Sequence, residues 1–237
     1  MARDGARFRT TGDRSPREAR MTAVLWDLDD TLLDTLAWRM RALAHAHETC
    51  LGSKTDPVEL WRSHRGGSLE AMGKRLMGER DYRRFVDTYR EFYYSIERDI
   101  RPFEGVVAVL EALRRADVPM AVVTAKVAYG AVDELTSSGL MQYFQAVVGA
   151  DDTDLHKPDP APVYEALDRL LIEPSAAVVL VGDSPADMWA AKNAGVRSVA
   201  ALWGTLDAEL LLDALPDHTA RAPGEVLSVL ASGEAAR

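Results

Sequence analysis

Three aspartates crowd a single turn of this chain, where Val24-Leu25-Trp26-Asp27-Leu28-Asp29-Asp30-Thr31 passes from apolar residues straight into carboxylates. An apolar run this short, ending at once in polar turn residues, reads as a strand over Ala23 to Trp26. Residues two apart on an extended chain point to the same side, so Asp27 and Asp29 can face one pocket while Leu28 packs behind them. Carboxylates held together repel unless a cation offsets the charge. Mg²⁺ suits such an oxygen site, bound by one or two carboxylates and completed by a substrate phosphate. The alternative is a turn-forming Asp cluster that caps a helix starting near Thr31.

Three further stretches carry groups of the same kind. Thr124-Ala125-Lys126 follows the apolar run that starts at Pro119, His156-Lys157-Pro158-Asp159-Pro160 precedes a helical pattern, and Gly182-Asp183-Ser184-Pro185-Ala186-Asp187 follows the apolar run Val178 to Val181. The elements that must position them alternate. An amphipathic helix over Val106 to Leu113 comes first, then a strand at Pro119 to Thr124, a helix at Val132 to Leu140 and a strand at Ala146 to Val148. A helix at Pro162 to Leu171, a strand at Val178 to Val181, a helix at Pro185 to Ala194 and a strand at Val196 to Ala201 follow. This is the pattern of an α/β, doubly wound, Rossmann-like parallel sheet, in which ligands bind beyond the carboxyl ends of the strands. All four groups fall at such places. Leu206 to Leu215 and Gly224 to Leu230 are further helix candidates.

Between the first strand and this alternation lies a stretch of different character. Leu36, Met40, Leu43 and His47 recur at helical spacing up to Leu51-Gly52, and a helix starts at Pro57. Leu69 to Met77 is a further helix, and Asp81 to Ile100 carries Tyr82, Phe85, Tyr89, Phe92, Tyr93 and Ile96 three or four apart. The expected organisation is therefore a disordered extension at 1–20, with Met21 a possible start, an α/β core from 21–34 and 101–237, and an inserted all-helical cap at 35–100. In the cap, Arg65-Gly66-Gly67 is either an ordinary helix-helix loop or a place where glycines admit a ligand and Arg grips an anion. His45 and His47, two apart, point different ways on a helix and form no metal pair.

The run Asp27-Leu28-Asp29-Asp30-Thr31, then Thr124, Lys157 and Asp183 in that order, resembles the four motifs of the haloacid dehalogenase-like hydrolases. The helical insertion resembles their C1 cap, and the pattern is nearest to phosphoglycolate phosphatase-like members. The resemblance spans roughly residues 22 to 205. It implies that Asp27 is the nucleophile, forming an aspartyl-phosphate, and that Asp29 is the general acid and base. It further implies that Thr124, with nearby backbone N–H groups, and Lys157 hold the phosphoryl oxygens. Mg²⁺ is then bound by Asp27, Asp183 and the main-chain carbonyl of Asp29. Asp187 either joins the metal site or only caps the helix that Ser184 and Pro185 open. Two positions depart from the pattern: Ala125 stands where Asn is frequent and can offer only backbone, and Asp30 stands where Gly is frequent. Lys126 reads as a surface or cleft-edge charge.

The function this implies is hydrolysis of a small phosphate monoester. A pyrophosphatase, a β-phosphoglucomutase-type phosphotransferase and a catalytically silent binding protein on the same fold are the alternatives. A dehalogenase attacks carbon and needs neither a second Asp nor a metal, so Asp29 and Asp183 speak against it. A net charge of -9 argues against nucleic-acid binding, and it requires any phosphate site to supply its own local positive charge. No apolar stretch reaches the roughly 20 residues of a membrane span. The one cysteine, Cys50, excludes an internal disulfide and fits a cytoplasmic protein, with the residue itself a small buried hydrophobe. Oligomeric state is not legible.

Overall fold

The computed structural model describes residues 23–63 and 68–232. The expected extension at 1–20 and the Arg65-Gly66-Gly67 turn lie outside these residues. The chain opens with β1 (Ala23–Trp26), the carboxylate turn and a two-residue strand β2 (Leu33–Asp34). Helix α1 (Leu36–Leu51) buries Met40, Leu43 and Ala46 on one face and stops at Gly52, whose φ of 73° suits glycine. Helix α2 (Pro57–Ser63) follows. The two helices expected over 69–77 and 81–100 are joined as α3 (Leu69–Ser95), bent at Gly78, where φ is 79°. The helix ends at Ser95 rather than Ile100, because Ile96 turns extended and the chain crosses back as β3 (Arg101–Pro102) to pair antiparallel with β2. Met40, Leu43, Leu60, Met72 and Phe85 form an apolar cluster of their own, so the inserted helices pack as an all-helical cap. Cys50 packs against this cluster, half-buried, and His45 stacks on Phe92.

Helix α4 (Val106–Arg115) and strand β4 (Met120–Val123) open the alternating region. Helix α5 (Ala128–Ser137) starts four residues before the expected Val132. Its first N–H, on Ala128, is capped by Asp151 Oδ1 at 2.6 Å, a partner too distant in sequence to be anticipated. Strand β5 (Ala146–Val148), α6 (Ala161–Leu170), β6 (Val178–Gly182), α7 (Pro185–Ala194) and β7 (Arg197–Ala201) follow within a residue or so of expectation. Helix α8 (Ala208–Asp213), an unanticipated strand β8 (His218–Ala220) and α9 (Glu225–Ser232) complete the described chain.

The core is a six-stranded, all-parallel sheet in the order β5-β4-β1-β6-β7-β8. Its central strands are apolar throughout because both faces are covered. Val24 and Trp26 face one layer, packed on Val109 and Leu110 of α4 and Leu135 of α5. Ala23 and Leu25 face the other, on Val163 of α6 and Ala191 of α7. Burying one such Val or Leu contributes about 1.5–3 kcal/mol, and the strand ends are held correspondingly firmly. The chain leaves β1 toward β4 and β5, then returns to place β6 on the other side. The crevice at this reversal opens beyond the carboxyl end of β1. Among the described residues no helix is long and apolar enough to cross a membrane.

Candidate active site

Asp27 is the first residue past β1, and its N–H donates to Val181 O of β6 at 2.9 Å. The backbone thus sets the carboxylate between two parallel neighbours. Lys157, carried by the segment before α6, reaches across to it: Nζ lies 2.7 Å from Asp27 Oδ1, 2.9 Å from Val123 O and 2.5 Å from Asp187 Oδ1. Asp187 is fully buried and its second oxygen accepts from the N–H and hydroxyl of Ser184, completing a capping box at the start of α7. The capping reading of Asp187 is therefore met. The same side chain stands with Asp27 and Asp183 in a cluster whose ligand oxygens lie within 4.8 Å of one another. Gly182 makes room for this. A Cβ there would sit 2.3 Å from Asp187 Cγ.

Asp29 faces different company. Its Oδ1 accepts from Lys126 Nζ at 2.8 Å and from Thr35 Oγ1 at 2.7 Å. Lys126 is only about 10% exposed, and it also bonds Tyr93 Oη at 3.3 Å and, more tightly, Glu134 Oε2. The reading of Lys126 as a surface or cleft-edge charge is thereby corrected. Thr124 Oγ1 accepts from the Lys126 N–H at 3.2 Å, which curls the chain back and aims the lysine inward. Asp30 adopts φ 62°, the left-handed region that glycine favours, and Asp tolerates it by local bonding. Its Oδ2 pairs with Arg39 Nη1 at 2.6 Å and its Oδ1 accepts from the Thr35 N–H. Thr31 Oγ1 donates to Asp183 Oδ1 at 3.3 Å.

The electrostatics divide the carboxylates. Burial, opposed by Lys157 and abetted by Asp187, pushes Asp27 up to about 7. Burial also acts on Asp29, but Lys126 and then Arg39 outweigh it and hold that carboxyl at about 2. Burial and the neighbouring Asp27, Asp30 and Asp187 push Asp183 well above the usual carboxylate range. Lys157 would lose charge by burial alone, yet Asp187 and Asp27 keep it above the ordinary lysine range. Asp27 and Asp183 thus share a region short of positive charge, while Asp29 has cations enough. The shortage is what a divalent ion satisfies, and three oxygen-only donors fit Mg²⁺. The Asp29 carboxylate is occupied elsewhere, by Lys126 and Thr35.

Asp27, Asp29, Thr124, Ala125, Lys157 and Asp183 line one cleft of about 150 Å³. It continues through Asp29, Arg39, Trp61 and Ala125 into a second cavity of about 100 Å³ under the cap. The six expected core positions are therefore brought together. Arg65, Gly66 and Gly67 lie outside the described residues. Three participants, Arg39, Tyr93 and Glu134, have no site role in the sequence reading, and a fourth, Lys126, is placed at the surface there. Lys126, two residues beyond Thr124 at a strand end, carried the one local signal. The others depend on contacts across 9 to 41 residues.

Comparison with known proteins agrees with the fold. Residues 24–201 match the family described as haloacid dehalogenase-like hydrolase. A protein of Nitrosospira multiformis named phosphoglycolate phosphatase is 37% identical over 73% of this chain and 79% of its own. One of Aquifex aeolicus with the same name is 30% identical over 89% and 97%. A protein of Bacillus velezensis named pyrophosphatase PpaX is 29% identical over 90% and 97%. Among solved structures, a haloacid dehalogenase-like family hydrolase from Streptococcus pneumoniae superposes with a TM-score of 0.76 at 24% identity, covering 88% of this chain and 98% of that one.

Proposed function

The chain belongs to the haloacid dehalogenase-like hydrolase family, and we propose that it is a Mg²⁺-dependent phosphatase releasing phosphate from a small monoester through an aspartyl-phosphate on Asp27. The observation that carries this reading is the unequal company of the two leading aspartates. Asp27 sits with Lys157, Asp183 and Asp187, whereas Asp29 sits apart with Lys126 and Thr35. Bound among Asp27, Asp183 and Asp187, Mg²⁺ would supply the positive charge that keeps Asp27 ionised and offsets that of the phosphate.

The chain's own groups do the rest. An Asp27 oxygen attacks phosphorus in line, and the bond from phosphorus to the ester oxygen breaks. The leaving oxygen takes a proton from Asp29. Burial notwithstanding, Lys126 and Arg39 hold that carboxyl at about 2 in the free protein, so the proton must arrive with the substrate, whose monoanion carries one. Lys157, the Thr124 hydroxyl and backbone N–H groups near Ala125 hold the equatorial oxygens. Water then yields a proton to Asp29 as its oxygen attacks phosphorus, the bond to Asp27 breaks, and phosphate leaves. The names of relatives make 2-phosphoglycolate and pyrophosphate the first substrates to assay. A cytoplasmic setting and a small phosphorylated metabolite as partner belong to the same proposal.

The test uses Asp29→Asn with an ester whose leaving group departs easily. Attack proceeds but breakdown stalls for want of a base, so a phosphate mass accumulates on Asp27 after acid quench. Asp27→Asn accumulates none. An adduct on Asp29 in the unaltered protein, or full turnover by Asp27→Asn, overturns the mechanism.

A further inference from the structure

The cavity under the cap has chemistry of its own. It adjoins the phosphoryl cleft at Asp29, the group proposed to protonate the leaving oxygen, so it is where the leaving group must lie. Its apolar walls include the aliphatic Leu43 and Leu69, the thioether of Met40 and the rings of Trp61, Tyr89 and Tyr93.

Each cation that lines it among the described residues already faces carboxylates. Arg39 is bound to Asp30 at 2.6 Å and lies over Trp61, 4.5 Å from the ring centre. Lys126 is held by Asp29 and Glu134. Arg90 stands 3.8 Å from Glu70 at the more exposed rim. An anionic leaving group, such as a carboxylate or a second phosphate, would have to share Arg39 or Lys126 with the buried carboxylates that already hold them, or settle for the half-exposed Arg90 at the rim. A neutral apolar group meets no such competition. At about 100 Å³ the space is smaller than the roughly 150 Å³ apolar cavity that holds benzene, and since it opens into the phosphoryl cleft a single ring or a smaller body is the most it takes.

We infer that the substrate is a phosphate monoester whose leaving alcohol is uncharged and carries a single ring or a compact apolar body, recognised by stacking and burial against Trp61 and Tyr89. The inference rests on the phosphatase reading and narrows it, and it goes against the glycolate and phosphate leaving groups that the names of relatives suggest.

The experiment compares kcat/KM for benzyl phosphate, ethyl phosphate, 2-phosphoglycolate and pyrophosphate at saturating Mg²⁺. The first three are alkyl esters, so the comparison reads recognition rather than leaving-group ease. Benzyl phosphate should exceed ethyl phosphate and 2-phosphoglycolate by at least about tenfold, the scale of discrimination by apolar burial. Trp61→Ala and Tyr89→Ala should each reduce the benzyl-to-ethyl ratio severalfold, and because both esters are measured on the same variant, a poorly folded sample lowers both and leaves the ratio. A higher kcat/KM for 2-phosphoglycolate or pyrophosphate, or a ratio untouched by both variants, overturns the inference while leaving the phosphatase reading standing. Hydrolysis of none of the four overturns both.

Discussion

At the scale of single residues, the site is a problem of unpaired negative charge. Asp183 has a folded-state pKa raised by burial and by three neighbouring carboxylates. A carboxyl of that kind costs stability once the pH passes its unfolded value, and the cost grows until the folded value is reached. At pH 7.5, Asp183→Asn should therefore raise the Tm of metal-free protein, by about 2–4 °C for each kcal/mol relieved in a chain of this size. Mg²⁺ should raise the Tm of the unaltered protein and leave the variant unmoved, and the variant should lose activity. A metal-dependent Tm rise in Asp183→Asn would remove this carboxylate from the metal site. The aspartates, Thr124, Lys157 and Asp183 were legible in sequence because each follows an apolar run, or opens a helix, at a spacing that places it at a strand end. Lys126 was not. A lysine after a strand is ordinarily solvated, and only the return of α5 with Glu134 and the arrival of Tyr93 from the cap make it a buried cation.

At the scale of elements, the alternation of helix and apolar strand made the sheet readable, since fully covered strands are short continuous apolar runs. What escaped were the pieces without a pattern of their own. β2 and β3 are two residues each, β8 is three, and α5 begins where a distant Asp151 caps it. These are made by tertiary contacts, and local sequence does not encode them. The turn after β1 illustrates the same dependence. Trp203 Nε1 donates to Thr31 O at 2.9 Å, and Gly204 lies so close that a Cβ there would meet the Asp30 carbonyl oxygen at 1.7 Å. The obstacle is backbone and cannot swing aside, so Gly204→Ala must displace either the segment after β7 or the carboxylate turn. Expected is a stability loss of about 1–3 kcal/mol by denaturant unfolding, as for overpacking, with a kcat loss larger than the stability change explains. By contrast Ser184→Ala removes a cap from α7 and should cost about 1 kcal/mol, with activity falling only as far as Asp187 shifts.

At the scale of the whole molecule, the cap and the core meet on charged and hydroxylated groups that also hold the proposed acid and base. Tyr93 and Arg98 lie beyond the bend of the cap's last helix, and both donate to Glu134 Oε1 on α5, at 2.8 and 3.1 Å. Glu134 in turn grips Lys126, which grips Asp29. The Arg98 guanidinium also lies over the Tyr93 ring, 4.4 Å from its centre. Since the contacts form one connected network, their energies should not add. A double-mutant cycle of Tyr93→Phe and Glu134→Gln should return a coupling of about 0.5–3 kcal/mol in unfolding free energy. Tyr93→Phe keeps the ring that lines the cavity and deletes only the hydroxyl. If the network sets Asp29, this variant should lower kcat for poor leaving groups, which need protonation, more than for good ones, which do not. Equal losses for both kinds of ester would mean that Tyr93 merely closes the cap, and strict additivity in the cycle would mean that cap and core touch here without acting on each other.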